Sequence, residues 1–446
     1  MPDCCGRARG SVSLSPGGPS GRRWRGPFRL EGLVVAVEVL HERVAGLDIG
    51  KASVTVCVRA PGRRAGTRRS QTRTFRTMSR SLQVMADWLV GEGVTVAAME
   101  STATYWKPVY YALEDRMECQ LLNAAHMKAV PGRKTDVKDA QWIAELLEYG
   151  LLRPSFVPPP AVRKLRMLTR YRVQLLGDRT RDTTRLEQML EDACIKLSVV
   201  ASSLTTVSAR AMLHAMIAGQ ADPAVLAQLA KGKMRSKIPD LTEALTGRFD
   251  AEHAQLAASL LARLERVGVD IAGLDEMIER ACKPWKRQIE LLTTIPGVGV
   301  RVAQTIVAET GGDMTRFPTA KHLAAWAGVA PAMYESAGRR SPAGHRMGNK
   351  WLCAMLVEAA TAASRTKNTY LAGQYGRLSR RRGAGKAQLA VANSIIVSAY
   401  HILGKGQTYR DLGPEWGKRR SAEARTKHLV AELERLGHSV TLGPAA

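Results

Sequence analysis

A chain of 446 residues with 45% hydrophobic content has the length and apolar mass for two or three domains with their own cores, which excludes a wholly disordered protein. Its 66 Lys and Arg against 40 Asp and Glu leave a formal charge of +26, which favours a polyanionic partner, nucleic acid first. No basic amphipathic stretch with aromatic anchors stands out, nor an apolar run near bilayer-spanning length, so no membrane partner is expected; the 7 scattered cysteines lack metal or redox spacing and suit a reducing cytoplasm.

Residues 1–30 are rich in Gly, Pro, Ser and Arg without periodicity, and 1–43 reads as a disordered basic extension. The apolar stretch 33–40 is broken by Glu38 and lacks a small-residue cleavage pattern, so it is not a secretory signal. Residues 44–47 predict a strand ending at Asp48, and the alternation Val54, Val56, Val58 predicts a second strand pairing back on it. Residues 79–90 have helical spacing, 94–99 form a short buried-strand run ending at Glu100, 105–115 return to helix, and 119–123 supply another strand. Helical spacing over 136–149 places Ile143, Leu146 and Leu147 on one face, and Gly150 stops the helix. Residues 44–155 therefore predict an α/β domain, a mixed sheet with helices packed on it.

The prolines at 158–160 separate this domain from a helical region, 156–285. Its patterned stretches, 161–195 and 251–292, predict an antiparallel helical hairpin or coiled coil, serving as a spacer or dimer arm. A third, mainly helical region, 286–415, opens with LLTTIPGVGVRVAQTIVAE (291–309), and 416–446 reads as a tail. Between 331 and 386 stand eleven cations (Arg339, Arg340, Arg346, Lys350, Arg365, Lys367, Arg377, Arg380, Arg381, Arg382, Lys386) against Glu335 and Glu358.

Asp48 and Glu100 at strand ends, with Asp136 and Asp139 three apart on a helix, can converge on a hard divalent cation such as magnesium, which takes oxygen ligands. Taken singly they also fit as turn residues and helix caps. The turn Ile295-Pro-Gly-Val-Gly-Val-Arg301 lies between two helical stretches and looks like a helix-hairpin-helix element. There Gly297 and Gly299 let the backbone approach a phosphate, or serve tight helix packing alone. Ser336 sits beside Arg339 and Arg340; by spacing it is a loop hydroxyl, and Ser341 is equally eligible as a nucleophile.

With these motifs in view, the chain resembles the DEDD transposases of insertion sequences, the bridge-RNA-guided serine recombinases, over about residues 44–415. The resemblance rests on GLDIGK (46–51), AAMESTATYW (97–106), GRKTDVKDAQWIAEL (132–146), IPGVGVRVAQTIVAE (295–309), AAWAGVAPAMYESAGRRS (324–341) and GHRMGNKWL (344–352). It implies an RNase H-like (RuvC-like) N-terminal domain in which Asp48, Glu100, Asp136 and Asp139 bind Mg2+. It also implies a serine nucleophile at Ser336, where Ala337 departs from the family's usual glycine, and strand cleavage and exchange of donor and target DNA by a homo-oligomer. A structured noncoding RNA would choose the sequences, in the cytoplasm with the nucleoid. Lys134, Gly297, Gly299, Arg339, Arg340, Arg346 and Lys350 are the expected nucleic-acid contacts. Two rivals stand beside it: a metal-dependent junction endonuclease that cuts with the acids alone, and a non-catalytic nucleic-acid-binding protein using the basic C-terminal region.

Overall fold

A computed structural model of the chain describes residues 29–30, 33–34, 38–64, 66–100, 103–123, 136–331, 334–336, 339–341 and 348–443. It divides into two compact units, Met1–Val157 and Pro158–Ala446.

In the first unit, a two-residue pair, β1 (Arg29–Leu30) and β2 (Leu33–Val34), precedes the main sheet. That sheet is built on β3 (Val44–Ile49) and β4 (Ser53–Pro61), whose apolar and β-branched residues are covered on both faces. They pair antiparallel from Val44 opposite Arg59 to Ile49 opposite Val54, as the alternation predicts. β4 continues antiparallel into β5 (Arg68–Arg76), a strand absent from the sequence reading. Its run RRSQTRTFR has almost no apolar face, because it is an edge strand whose outer positions meet solvent.

After α1 (Ser79–Gly91) the chain enters β6 (Val96–Glu100), parallel to β3, and after α2 (Trp106–Leu113) it enters β7 (Glu118–Leu122), parallel to β6. Helix α3 (Asp136–Glu148) and the short antiparallel β8 (Pro154–Ser155) complete the unit, giving the six-strand order β5-β4-β3-β6-β7-β8. One face of the sheet packs Leu47, Val56 and Met99 against Leu82, Met85, Leu89, Val109 and Leu113 of α1 and α2. The other packs Val44, Ala98 and Leu122 against Ala140, Ile143, Ala144 and Leu147 of α3. The result is a mixed α/β sheet between helical layers, the architecture expected of an RNase H-like domain.

The second unit is helical apart from one ribbon. Helix α4 (Pro160–Asp192) starts on a proline in its first turn; four short helices follow, α5 (Leu197–Val200), α6 (Val207–Ile217), α7 (Pro223–Ala227) and α8 (Ile238–Ala244), and then α9 (Ala251–Cys282). Polar pairs fix α4 and α9 as antiparallel: Arg172 meets Asp275, Asp182 meets Arg263, and Asp192 meets His253. The helical pattern over 251–292 is interrupted by a 3-10 turn, Lys283–Trp285, because Pro284 supplies no backbone donor there.

The region 156–285 does not close on a core of its own throughout. The outer halves of α4 and α9 pack with α5–α8 around Leu186, Leu190, Met212, Leu241 and Leu261. Their inner halves share a core with the rest of the unit, where Leu165, Leu168, Ile271 and Ile278 meet Leu292, Ile306, Leu356 and Ile395. That rest comprises α10 (Lys286–Thr293), α11 (Val300–Thr310), α12 (Ala320–Trp326), the ribbon β9 (Tyr334–Ser336) with β10 (Arg339–Ser341), and then α13 (Lys350–Arg365), α14 (Tyr370–Arg382) and α15 (Ala384–Lys405). The expected C-terminal tail contains a further helix, α16 (Trp416–Arg435).

Helix α15 corrects the statement that no apolar run approaches spanning length: its 22 residues are long and apolar enough. Its buried residues Val391, Ala392, Ile395, Ile396 and Ala399 lie in the shared core, which accounts for its apolar composition.

Candidate functional site

Parallel pairing aligns Leu47 with Met99, so the next residues, Asp48, one before the end of β3, and Glu100, the last of β6, lie on adjacent strands about 4.8 Å apart. Side chains alternate along a strand, and Asp48 and Glu100 each follow by two a residue beneath α3, Gly46 and Ala98. Both acids thus belong to the α3 face, and both are half-buried.

Gly46 decides how closely α3 approaches. A Cβ there would lie 2.3 Å from the Ala140 carbonyl oxygen and 2.3 Å from the Ala144 nitrogen, so only glycine permits this contact of helix backbone with strand backbone. The direction of α3 is set at its far end. Glu148, wholly buried, pairs with Arg59 and Arg68, and Arg59 lies opposite Val44 at the start of β3. The end of α3 therefore sits over the start of β3, and its first turn over the other end. From Gly46 to Asp48 a strand advances about 6.7 Å, which α3 covers in four or five residues at about 1.5 Å each, measured back from the 140–144 contact. That count reaches 136–139.

Asp139, half-buried, stands one turn before the buried Ile143, and Asp136 is the first residue of the helix; the Asp136 side chain lies outside the described residues. Among the described residues no group of three or more His, Cys, Asp or Glu side chains is drawn close enough to hold a metal ion. The backbone places Asp48 and Glu100 at one end of one sheet face and the first turn of α3 toward that same end, while the described side chains of the expected set do not close into a metal-holding group. Lys134 lies outside the described residues.

In the second unit, α10 and α11 are joined across the IPGVG turn. Gly297 adopts φ +84°, and a Cβ there would meet the backbone of α13, 2.4 Å from the Ala359 oxygen and 2.5 Å from the Ala363 nitrogen. Close packing and left-handed backbone together account for that glycine. Gly299, at the start of α11, faces open space.

Ser336 is in a ribbon rather than a loop: its Cα partner is Arg339, Glu335 pairs with Arg340, and Tyr334 with Ser341. Arg339 is exposed, and Lys350, also exposed, has its Nζ 5.1 Å from the centre of the Trp351 ring. The side chains of Ser336, Ser341 and Arg340, and Arg346 entirely, lie outside the described residues.

The sequence reading passed over a buried polar cluster in the second unit. Glu309, wholly buried near the end of α11, accepts hydrogen bonds from Arg170 Nε and Nη2, both 2.8 Å, and from Asn349 Nδ2, 2.7 Å. Arg166 Nε lies 3.2 Å from the same carboxylate, and its Nη2 donates to the Glu309 carbonyl oxygen at 2.6 Å. Burial pushes the Arg166 pKa down, Glu309 opposes that shift, and Arg170 adds to it; an arginine so placed keeps its charge. The available signal was a lone glutamate in the otherwise apolar run VRVAQTIVAET, facing two arginines four apart on α4.

Two of the thiols, Cys119 and Cys282, are poor candidates for a nucleophile. Burial, with Glu114 and Glu118, pushes Cys119 up to about 12, and burial pushes Cys282 up to about 11.

Comparison with known proteins bears on both units. A family model of the DEDD transposases of IS110, described as a transposase, matches residues 45–195, and the model described as "Transposase IS116/IS110/IS902 family" matches 289–376. The chain is 33% identical over 221 residues to an uncharacterized 42 kDa protein of insertion element IS900 from Mycobacterium paratuberculosis, covering 46% of this chain and 54% of that one. It is 29% identical over 320 residues to an uncharacterized 43.6 kDa protein of IS110 from Streptomyces coelicolor, covering 64% and 74%. It is 25% identical over 380 residues to the transposase for insertion sequence element IS1111A of Coxiella burnetii, covering 82% and 91%. The chain spans about half the length of the first of these relatives. IS110/IS116-family DEDD transposase domains are therefore present. One expectation is corrected: the matching family is of the DEDD type, with which the label of serine recombinase is inconsistent.

Proposed function

We propose that this chain, carrying transposase domains of both kinds, is an insertion-sequence transposase that cleaves and joins DNA strands at a divalent-metal centre formed by Asp48, Glu100, Asp136 and Asp139. One observation supports this above the rest: α3 runs antiparallel to β3 over Gly46, bringing its first turn level with Asp48 and Glu100 on one face of the sheet. Gathering carboxylates at one place costs folding energy through repulsion and desolvation, and an oxygen-only donor set suits magnesium. When bound, such an ion neutralises charge on the phosphate and activates an attacking oxygen. The chain's own part is rigidity: two carboxylates stand on hydrogen-bonded strand ends, and two on one helical turn locked down at Gly46.

The second unit, in this reading, holds the nucleic acid. Gly299 leaves the start of α11 open to a phosphate as the helix-hairpin-helix expectation requires, and Arg339, Arg340, Arg346 and Lys350 supply cations; Lys134 is a separate expected contact of the first unit. Ser336 is the hydroxyl available on the ribbon; as a nucleophile its oxygen would bond the scissile phosphorus while a deoxyribose oxygen leaves with the proton. A structured noncoding RNA and a homo-oligomeric assembly complete the reading. The net charge of +26 supports the former, and the resemblance supports both.

The test is strand cleavage of DNA carrying the element's ends, with the transcript of the flanking noncoding sequence and Mg2+. Wild type should cut, and Asp48→Asn or chelation with EDTA should abolish cutting while DNA binding persists. Cutting by Asp48→Asn at the wild-type rate would overturn the metal-centre reading. Protein–DNA adducts in wild type but not Ser336→Ala would support the serine; cleavage without an adduct in either would leave the acids cutting alone, as in a junction endonuclease.

A further inference from the structure

The row of acids continues beyond β3. Asp48 lies opposite Thr55 of β4, and Thr55 opposite Thr74 of β5, so Glu100, Asp48, Thr55 and Thr74 stand level on four adjacent strands. Paired residues share a face, and this face is the one under α3: Cys57, two residues from Thr55, packs against α3, and Arg68, six before Thr74, pairs with Glu148. The next row outward holds Ser53 opposite Arg76. Thr55 is buried, with its Oγ1 3.3 Å from that of Thr74. Thr74, Ser53 and Arg76 are exposed, because Glu148 anchors α3 over the other end of these strands.

The arginines of β5 divide by position. Arg68 pairs with Glu148, Arg69 pairs with Glu92, and Arg73 lies 4.7 Å from the centre of the Trp88 ring. Arg76, at the acid end, forms no ion pair among the described residues, and neither does Lys51, exposed in the turn between β3 and β4. That turn is held to the end of β5: the Thr77 nitrogen donates to the Ala52 carbonyl at 3.1 Å, and Thr77 Oγ1 donates to the Lys51 carbonyl at 2.8 Å. The fold thus employs three arginines of the strand and leaves two cations unspent where the acids are.

We infer that Thr74, Arg76 and Lys51 form a seat for the phosphodiester backbone of the DNA strand that enters the metal centre. The inference rests on the reading that Asp48 and Glu100 belong to that centre. Two strand spacings separate Asp48 from Thr74, about 10 Å, which is the rise of about three nucleotides along one strand of a duplex. A strand whose reacting phosphate meets the acids therefore lays a neighbouring phosphate on the open end of β5. Carboxylates repel that backbone, so cations beside them are needed to hold it. When Thr55 donates to Thr74, the Thr74 proton is free for a phosphate oxygen, and the Arg76 guanidinium can meet the same phosphate with two donors.

The experiment measures affinity for DNA carrying the element's ends, over a range of salt, for wild type, Arg76→Ala, Lys51→Ala, Thr74→Val and Arg63→Ala, with thermal unfolding on each. Arg63 is the control, an exposed cation past the far end of β4, about 27 Å along the same hairpin. Arg76→Ala and Lys51→Ala should each weaken binding about two- to fivefold, with Thr74→Val weaker in effect and Arg63→Ala silent. Each lost cation should also flatten the slope of log affinity on log salt by about 0.7–0.9. A neutral methylphosphonate, placed at one phosphate at a time on either side of the cut, should weaken wild type at one position and have no further effect there in Arg76→Ala. Unchanged affinity and slope in both cation variants, an equal change in Arg63→Ala, or methylphosphonate effects that add in full to Arg76→Ala would overturn the seat. So would a changed slope for the noncoding transcript with that for DNA unchanged. Cleavage by Asp48→Asn at the wild-type rate would instead overturn the metal-centre reading and the inference with it, whereas the binding results alone strike only the inference.

Discussion

Two sets of carboxylates in this molecule are treated in opposite ways. Glu148 in the first unit and Glu309 in the second are wholly buried, and each sits between two arginines. Asp48, Glu100 and Asp139 are half-buried; Asp48 and Glu100 stand on neighbouring strands, and Asp139 lies in the first turns of the helix that crosses that face. An acid neutralised inside the fold holds elements together, and Glu148 does so for α3, β4 and β5. Acids of one sign brought to one place are held there by elements that fold for other reasons. Their repulsion is a cost that a bound cation can offset.

The comparison breaks most sharply on function. Asp48→Asn is expected to lower DNA cleavage by about a thousandfold while leaving stability nearly unchanged, because it removes a metal ligand and one like charge. Cleavage kinetics and denaturant unfolding on the same preparation separate the two effects. Glu309→Ala and Glu148→Ala should behave in the reverse order, each costing about 1–3 kcal/mol of stability by leaving half-buried arginines unpaired, measured by urea unfolding. If either folds as stably as wild type, its arginines have found other partners and the contrast fails.

Gly46→Ala tests the link between the sets. Its methyl group must push α3 off β3, and an overpacked contact of this kind costs about 1–3 kcal/mol. Because α3 carries Asp136 and Asp139, cleavage should fall further than stability. Equal loss of both would mean that α3 does not need its distance from β3 for the chemistry.

The smallest expected effect is on pH. His253 lies between Asp192 (Nε2 to Oδ2 3.2 Å) and Asp250 (Nδ1 to Oδ1 2.6 Å), and the hydrogen bond to Asp192 leads the causes that raise its pKa above the usual 6.5. Its stabilising contribution is full below 6.5 and is lost as pH climbs through the raised value. The melting temperature should therefore drop slightly as pH rises from 6.5 through the raised value, and His253→Gln should flatten that slope.

Much of the first unit was legible because its strands and helices are each periodic: 44–47 and 94–99 as strands, and 79–90 and 136–149 as helices, stand within a residue or two of their ends. β5 was illegible because an exposed edge strand has no apolar alternation to read. In the second unit, pattern alone paired α4 with α9, but it did not show that the inner halves of these helices share a core with α10–α15. The ribbon under Ser336 was also missed, since residues 334–341 carry no strand pattern long enough to count.

The sequence by itself determined the elements, the excess of positive charge and the identities of four acids at the ends of apolar runs, since these follow from local periodicity and composition. Only the tertiary structure decided which acids come together and which are neutralised. That depends on the direction in which α3 crosses β3, on a missing Cβ at Gly46, and on arginines more than a hundred residues from Glu309 in the chain. A charge carries no record in its own neighbourhood of the partner that folding will bring to it.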